Sequence, residues 1–219
     1  MNMNRNGMRM LRLVLTVMAV ACAMAVSAKV NEKPFVVPEL TSWTGAEGSV
    51  VPSGRIVVKN KMMREVAARL AADYEQMFGR TLTVASGKVR PGDIVLSKSK
   101  IASLGKEGYR MDIAKSINVE AVTAQGAYWA TRTLLQLSEQ SAEHQLPRGV
   151  IEDVPQYALR GFMIDCGRKF IPIDYLRNLV KVMAYYKMNT LQIHLNDNGF
   201  RQFFGGDWMK TQAAFRLES

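Results

Sequence analysis

From residue 55 onward the apolar positions follow two rhythms. Residues 55–59 read as a strand, after which Met62, Met63, Val66, Ala67, Leu70, Ala71, Tyr74 and Met77 recur at helical spacing. Gly79 follows as the residue just past a helix end. This Met and Ala stripe is core packing and not a cofactor box. Residues 81–85 and 93–96 predict short strands. Over 108–121 the apolar residues alternate: Tyr109, Met111 and Ile113, then Ile117, Val119 and Ala121, with a hairpin turn at Lys115-Ser116. A second amphipathic helix is predicted over 126–140, burying Tyr128, Ala130, Leu134, Leu135 and Leu137. The order β-α-β-β-β-β-α implies an α+β domain whose sheet carries its helices on one face.

Two stretches lack such rhythm. Residues 29–55 hold Pro34, Pro38, Pro52, Gly45, Gly48 and Gly54, and predict a lead-in with at most one short strand near 35–37. Residues 144–155 read as a polar connector containing Pro147, Gly149 and Pro155, which puts a domain boundary at 155. The expected division is 29–55 lead-in, 56–155 α+β domain and 156–219 second domain.

The second domain opens with the most informative segment. An apolar strand over 159–164, expected to be buried, ends in Asp165 and Arg168. A helix follows, with Pro172 at its first position, Asp174 near the positive end of its dipole, and Leu176, Leu179, Val180 and Met183 facing inward. Asn189 ends the helix, and a strand over 190–195 carries His194 and leads to Asn196 and Asp197. Strand, helix and strand span about 38 residues, a fitting size for one βαβ unit. Charged groups gathered where successive parallel strands end are how a (β/α)8 barrel builds its active-site face. Beyond Gly199 come Phe200, Phe203, Phe204, Trp208 and Phe215 without a closing strand. Two strands and one helix cannot cover both faces of a parallel sheet, so the expectation is the first βαβ portion of a truncated TIM barrel.

The first 28 residues change the charge reading. Arg5, Arg9 and Arg12 precede an apolar run over 13–26, and Val26-Ser27-Ala28 offers small residues for cleavage. That is the pattern of a secretory signal peptide, and the run is short of the roughly 20 residues a membrane span needs. The expected location is therefore periplasmic or cell-envelope, without a stable membrane span. Cys22 offers a lipidation site, but Ala19-Val20-Ala21 lacks the large aliphatic residue that opens a lipobox, so simple cleavage is preferred. Removing three arginines lowers the formal charge from +10 to +7. The remaining Lys and Arg are scattered, which argues against nucleic acid as a partner. Cys166 would be the sole cysteine of the processed chain, a small packing residue, and the only histidines are His144 and His194. No ligand spacing for a metal exists, and no cofactor is expected.

Beyond rhythm and charge, particular residues carry a resemblance. Glu107-Gly108-Tyr109-Arg110-Met111 and the run from Gly126 to Leu137 resemble the α/β domain that precedes the barrel of glycoside hydrolase family 20, the β-N-acetylhexosaminidases. Arg160-Gly161, Asp165, Arg168, Phe170, Pro172, Met183-Ala184, Lys187, Asn189 and His194-Leu195 follow that family's order and spacing through the opening of its barrel. The resemblance implies an N-acetylhexosamine-containing glycan as substrate and hydrolysis assisted by the substrate's own acetamido group. It implies that Arg168 holds the sugar by its hydroxyls, a task suited to a planar fork of donors. Pairing of Arg168 with Asp165 alone is the alternative. Asp165, His194 and Asp197 match supporting positions. The loop Asn198-Gly199-Phe200-Arg201 is one residue shorter than the family pattern. The adjacent Asp-Glu pair that orients the acetamido group and protonates the leaving oxygen is absent from these 219 residues. Gly205-Gly206-Asp207 resembles its surroundings, but Trp208 stands where the acid must be. No catalytic residue is therefore assigned, and the chain alone is expected to be inactive. A non-catalytic carbohydrate-binding module and a structural periplasmic protein stay open as other readings.

Overall fold

The alternating residues of the predicted hairpin form the centre of a seven-stranded sheet. In this computed structural model, residues 29–168, 170–195, 201–203, 205–207 and 210 are described. The chain divides into Met1–Val30, where only Lys29 and Val30 are described, and a unit from Asn31 onward. The predicted leader thus lies outside the described residues, among which no helix is long and apolar enough to cross a membrane.

The elements in order are Ser42–Val50 (β1), Arg55–Val58 (β2), Arg64–Phe78 (α1), Thr83–Ala85 (β3), Ile94–Lys98 (β4), Tyr109–Ile113 (β5), Ile117–Ala121 (β6), Ala124–Glu139 (α2), Leu146–Asp153 (β7), Gly161–Asp165 (β8), Ile173–Tyr185 (α3) and Thr190–His194 (β9). The large sheet runs β1-β7-β5-β6-β4-β2-β3. Its β1, β7, β5 and β6 pair antiparallel, while β6, β4, β2 and β3 pair parallel. Tyr109, Met111, Ile113, Ile117, Val119 and Ala121 point to the buried face, where they meet Val66, Leu70 and Tyr74 of α1 and Ala127, Ala130, Leu134 and Leu137 of α2. Burying each large aliphatic or aromatic side chain contributes roughly 1.5–3 kcal/mol, and this cluster is the main source of stability.

Both helices end and begin as their residues dictate. Gly79 takes φ 64°, a left-handed position that closes α1 with its N–H on the Glu75 carbonyl, 2.9 Å away. Thr123 caps α2 by accepting from the Gly126 N–H at 3.2 Å. Gly126 lets that end of α2 lie against the start of β5, because a β-carbon there would collide with the Gly108 carbonyl and come within 3.2 Å of the Ala121 β-carbon.

The structure corrects several expectations. The lead-in contains β1, a nine-residue strand, and no strand at 35–37. Its alternation is masked because β1 is an exposed edge, irregular between Gly45 and Ser49. Residues 35–37 instead line α2: Val37 N–H donates to Gln136 Oε1 and Gln136 Nε2 to the Val37 carbonyl, each at 2.8 Å. The predicted polar connector is largely β7, inserted between β1 and β5. Pro147 is tolerated there because it pairs with Ser49 of β1 beyond the end of β5, whose partners begin at Gly149.

A separate two-stranded parallel sheet, β8-β9, follows with α3 between its strands. Its strand β8 is not buried, with Phe162 and Met163 being 47% and 49% exposed. Pro172 is the N-cap of α3, at φ −60° and ψ 146°, and not its first helical residue. Met183 is buried and Leu176 and Leu179 half-buried, but Val180 is 49% exposed. Val180 lines a groove that α3 shares with α1 and α2, and Phe162 and Met163 lie on a strand whose faces no other described element buries. The whole is an α+β fold with a mixed sheet, two helices packed on one face and a βαβ unit that forms no closed barrel among the described residues.

Candidate active site

Parallel pairing brings two of the predicted site residues to one end of the small sheet. Gly161 pairs with Thr190 at its start and Asp165 with His194 at its end. The ladder reaches one residue further, as the Cys166 N–H donates to the His194 carbonyl at 2.9 Å. The chain then turns tightly around Asp165. Oδ1 of Asp165 accepts from the Gly167 N–H at 3.0 Å and from the Arg168 N–H at 3.1 Å, and Arg168 Nε donates to Oδ2. Burial opposes the charge on Asp165, but the Arg168 N–H, its guanidinium and the Gly167 N–H outweigh it and hold the carboxyl below the usual carboxylate range. The Arg168 side chain remains 38% exposed, so the charge-balanced pair forms a half-open turn beside half-buried His194. Such a turn can present a fixed set of donors to neighbouring hydroxyls.

Asp197 lies outside the described residues, as does Trp208. Gly205 and Gly206 adopt φ 64° and 85°, and Asp207 forms an ion pair with Lys210 at 3.6 Å. Among the described residues no group of three His, Cys, Asp or Glu is placed to hold a metal.

The other family-like residues gather elsewhere, where the βαβ unit meets the large sheet. Lys187, in the left-handed region at φ 57°, sends Nζ to Asp153 Oδ2 at 2.8 Å and to the Tyr109 hydroxyl at 3.2 Å. Tyr109 donates to Asp153 Oδ2 at 2.8 Å and meets Thr133 Oγ1 at 2.7 Å, while Asp153 Oδ1 accepts from the Thr41 N–H and hydroxyl. A second knot centres on Arg160. Its guanidinium pairs with Glu107, which also accepts from Trp129 Nε1 at 2.9 Å, and donates to the Lys187 and Tyr157 carbonyls.

Electrostatics follow from this packing. Burial works against the charge on Asp153, yet Lys187 and Tyr109 hold its carboxyl below the usual range. Burial likewise opposes Glu107, and Arg160 and Trp129 hold it down. Burial pushes the Lys187 ammonium below its ordinary value against the pull of Asp153, and raises the Tyr109 phenol well above its own. Sequence reasoning matched Glu107, Tyr109, Arg160, Lys187 and Asn189 to a pattern without assigning them roles. Rhythm gave no signal for Asp153 or Lys187: Asp153 lies in the stretch read as a polar connector, and Lys187 follows the last inward position of α3, Met183.

Two cavities border these elements. One, about 280 Å³, lies at the knot beside Trp129, Tyr157 and Arg160. The other, about 710 Å³, is a groove between α1, α2 and α3. Neither is lined by Asp165, Arg168 or His194.

Comparison with known proteins gives one answer. The profile described as "Glycosyl hydrolase family 20, domain 2" matches residues 33–154, and "Glycosyl hydrolase family 20, catalytic domain" matches residues 157–204. A beta-hexosaminidase of Akkermansia muciniphila is 37% identical over 130 residues, covering 57% of this chain and 26% of that protein. A beta-N-acetylhexosaminidase of Cellulomonas fimi is 31% identical over 167 residues, covering 74% of this chain and 34% of that protein. The chain thus spans about a quarter to a third of the length of these relatives. The solved family 20 β-N-acetylhexosaminidase of Streptomyces coelicolor A3(2) superposes with a TM-score of 0.67 at 27% identity, over 78% of this chain and 36% of that one. That of Streptomyces plicatus, in complex with Thio-NAglucal, gives 0.65 at 27% identity, over 77% and 36%. With one family profile covering more than half of its residues and a second covering the βαβ unit, the chain belongs to glycoside hydrolase family 20.

Proposed function

We propose that this chain serves as the opening part of a β-N-acetylhexosaminidase that removes terminal N-acetylglucosamine or N-acetylgalactosamine from glycans with retention of configuration. The seven-stranded sheet, β1 included, belongs to its N-terminal α/β domain, and residues 156–219 begin its catalytic barrel. The observation that carries the reading is the Asp165–Arg168 turn, aligned with His194 at the C-terminal ends of adjacent parallel strands. That is the end where barrel active sites form. Arg168 holds sugar hydroxyls there, Asp165 orients Arg168, and His194 and Asp197 support the site. Relatives bearing the name beta-hexosaminidase support the substrate class.

Family 20 departs from the ordinary two-carboxylate scheme. The acetamido oxygen of the sugar attacks the anomeric carbon, an Asp orients that group, and a neighbouring Glu protonates the leaving oxygen. Neither acid of that pair occurs among these 219 residues as an Asp-Glu dipeptide. The reaction therefore belongs to a protein that joins this chain to the pair, and residues 1–219 alone are inactive. The leader sends the protein out of the cytoplasm, and cleavage leaves Lys29 or a near neighbour at the N-terminus.

The test is Arg168→Ala in the complete gene product, assayed on an aryl N-acetylglucosaminide. Losing charge-assisted bonds to the sugar costs about 2–4 kcal/mol in kcat/KM, since hydrogen bonds to charged groups are worth about 1.5–3 kcal/mol each. Unchanged kinetics in a folded variant would leave Arg168 a structural partner of Asp165. Sugar binding without turnover by the complete product would favour a carbohydrate-binding module.

A further inference from the structure

The register of β8 against β9 decides whether Asp165 faces His194, and burial alone sets it weakly. Register is strongly specified where one face of a sheet is buried, and a one-residue slip turns every side chain to the opposite face. Here Gly161, Phe162, Met163, Thr190, Gln192 and Ile193 are all exposed. The opposite ends of the two strands are pinned instead. Asn189 Oδ1 accepts from the Arg160 N–H at 3.0 Å, and its Nδ2 donates to the Ala158 carbonyl at 2.7 Å. The N–H groups of Asn189 and Thr190 both donate to the Arg160 carbonyl, at 2.9 and 3.3 Å. Arg160 Nε in turn donates to the Lys187 carbonyl at 2.8 Å. Both backbone groups of Arg160 are thereby bound to Thr190, the first residue of β9, or to Asn189 before it.

We propose that this clasp of Asn189, Arg160 and Lys187 sets the register of the β8–β9 pair, making Asn189 a positioning residue for the Asp165–Arg168 turn at the far end. The clasp does not float. Arg160 is paired with Glu107, and Lys187 Nζ with Asp153, so the large sheet holds the point from which the register is counted. A slip by one residue at Arg160 would leave the Cys166 N–H without the His194 carbonyl and turn the Asp165 carboxylate to the other face. The small sheet then transmits one local choice, which amide meets which carbonyl, over about 13 Å of strand at 3.3 Å per residue. That the turn binds sugar rests on the function proposed above, whereas the clasp itself does not.

Amide hydrogen exchange followed by NMR on the 219-residue chain tests this. Asn189→Ala should speed exchange at Cys166, Gly167 and Arg168 at least tenfold while Met111 and Val119 of the large sheet keep their protection. Faster exchange confined to Arg160, Asn189 and Thr190, with Cys166, Gly167 and Arg168 unchanged, would overturn the proposal. The unmodified chain supplies a second measurement should the variant lose protection throughout. In sub-denaturing urea, the amides of Asn189, Thr190 and Cys166 should open together with one denaturant slope. Opening of Cys166 at lower urea than Asn189 and Thr190 would show that the far end is set independently, and would equally overturn it. If exchange behaves as expected but Arg168→Ala leaves the kinetics of the complete product unchanged, the clasp stands and the sugar-binding role of the turn falls.

Discussion

Lys187 Nζ lies 2.8 Å from Asp153 Oδ2, with the two side chains only 7% and 11% exposed. A cation that follows α3 is thus buried against the anion that ends β7. Desolvation offsets much of the attraction in such a pair, so its net contribution to stability is modest compared with an apolar replacement. Removing one member is a different matter, because the other is left charged or forced to titrate.

Lys187→Met should therefore destabilise the chain by about 3–5 kcal/mol, the range for breaking a buried pair. Urea unfolding followed by circular dichroism measures it. By contrast, Arg177→Ala should change stability by at most about 1 kcal/mol, because its pair with Asp174 sits in solvent with side chains 69% and 82% exposed.

Acid should weaken the same junction. Asp153 and Glu107 both titrate below the usual carboxylate range in the folded chain. A carboxyl with a depressed folded pKa stabilises the fold fully above its unfolded value, and that contribution is lost as pH falls through the folded one. The urea midpoint should hold from pH 7 to about 5 and then fall as these groups protonate. A midpoint that stays level down to pH 3 would show that neither carboxylate is better solvated by its partners than by water.

Gly126→Ala offers a test of packing against propensity. Alanine is favoured over glycine inside a helix by about 1 kcal/mol, which alone predicts a more stable chain. Here the added carbon meets the Gly108 carbonyl and lies 3.2 Å from the Ala121 β-carbon. The expected result is a net loss of about 1–3 kcal/mol, the usual cost of overpacking. A raised melting temperature would mean that α2 can shift away from β5 without loss.

Residues 29–219, purified alone, should show no turnover of an aryl N-acetylglucosaminide at high enzyme concentration. Positioned proton transfer typically contributes about 10²- to 10⁴-fold, and among the described residues no closed barrel forms to hold an acid beside a glycosidic oxygen. Turnover that follows the purified chain and vanishes in Asp207→Asn would identify the Gly205-Gly206-Asp207 segment as functional after all.

The parts legible from sequence were those where a period and a boundary residue agree. Helix α1 shows its stripe from Val66 to Tyr74 and its stop at Gly79, and the β5–β6 hairpin shows strict alternation. Strands β1 and β7 were hidden because Gly45, Gly48, Pro147 and Gly149 imitate loop chemistry. Their pairing is decided by partners far along the chain, Trp43 with Ile151 for example. The Asp165–Arg168 contact was readable as a local one, being three residues long. The Lys187–Asp153 pair was not, because hydrophobic rhythm carries no record of which buried charge will meet which. Exposure of Phe162 and Val180 was misjudged for a related reason: pattern reports which face is apolar, and only the fold reports what covers it.

The placement of β7 between β1 and β5 has a consequence for the order of folding as the chain emerges, N-terminus first. Strand β1 is among the first elements to emerge, yet Ser42 must pair with Glu152 and Val50 with Leu146. About a hundred residues separate the partners, which at 5–20 residues per second is a wait on the order of 5–20 s. During that interval β2, α1, β3, β4, β5, β6 and α2 can assemble around their nearer contacts while the nascent β1 has no strand to join. Folding that follows the emerging chain should therefore proceed from the parallel half of the sheet outward, with the antiparallel edge docking last, once Asp153 has emerged.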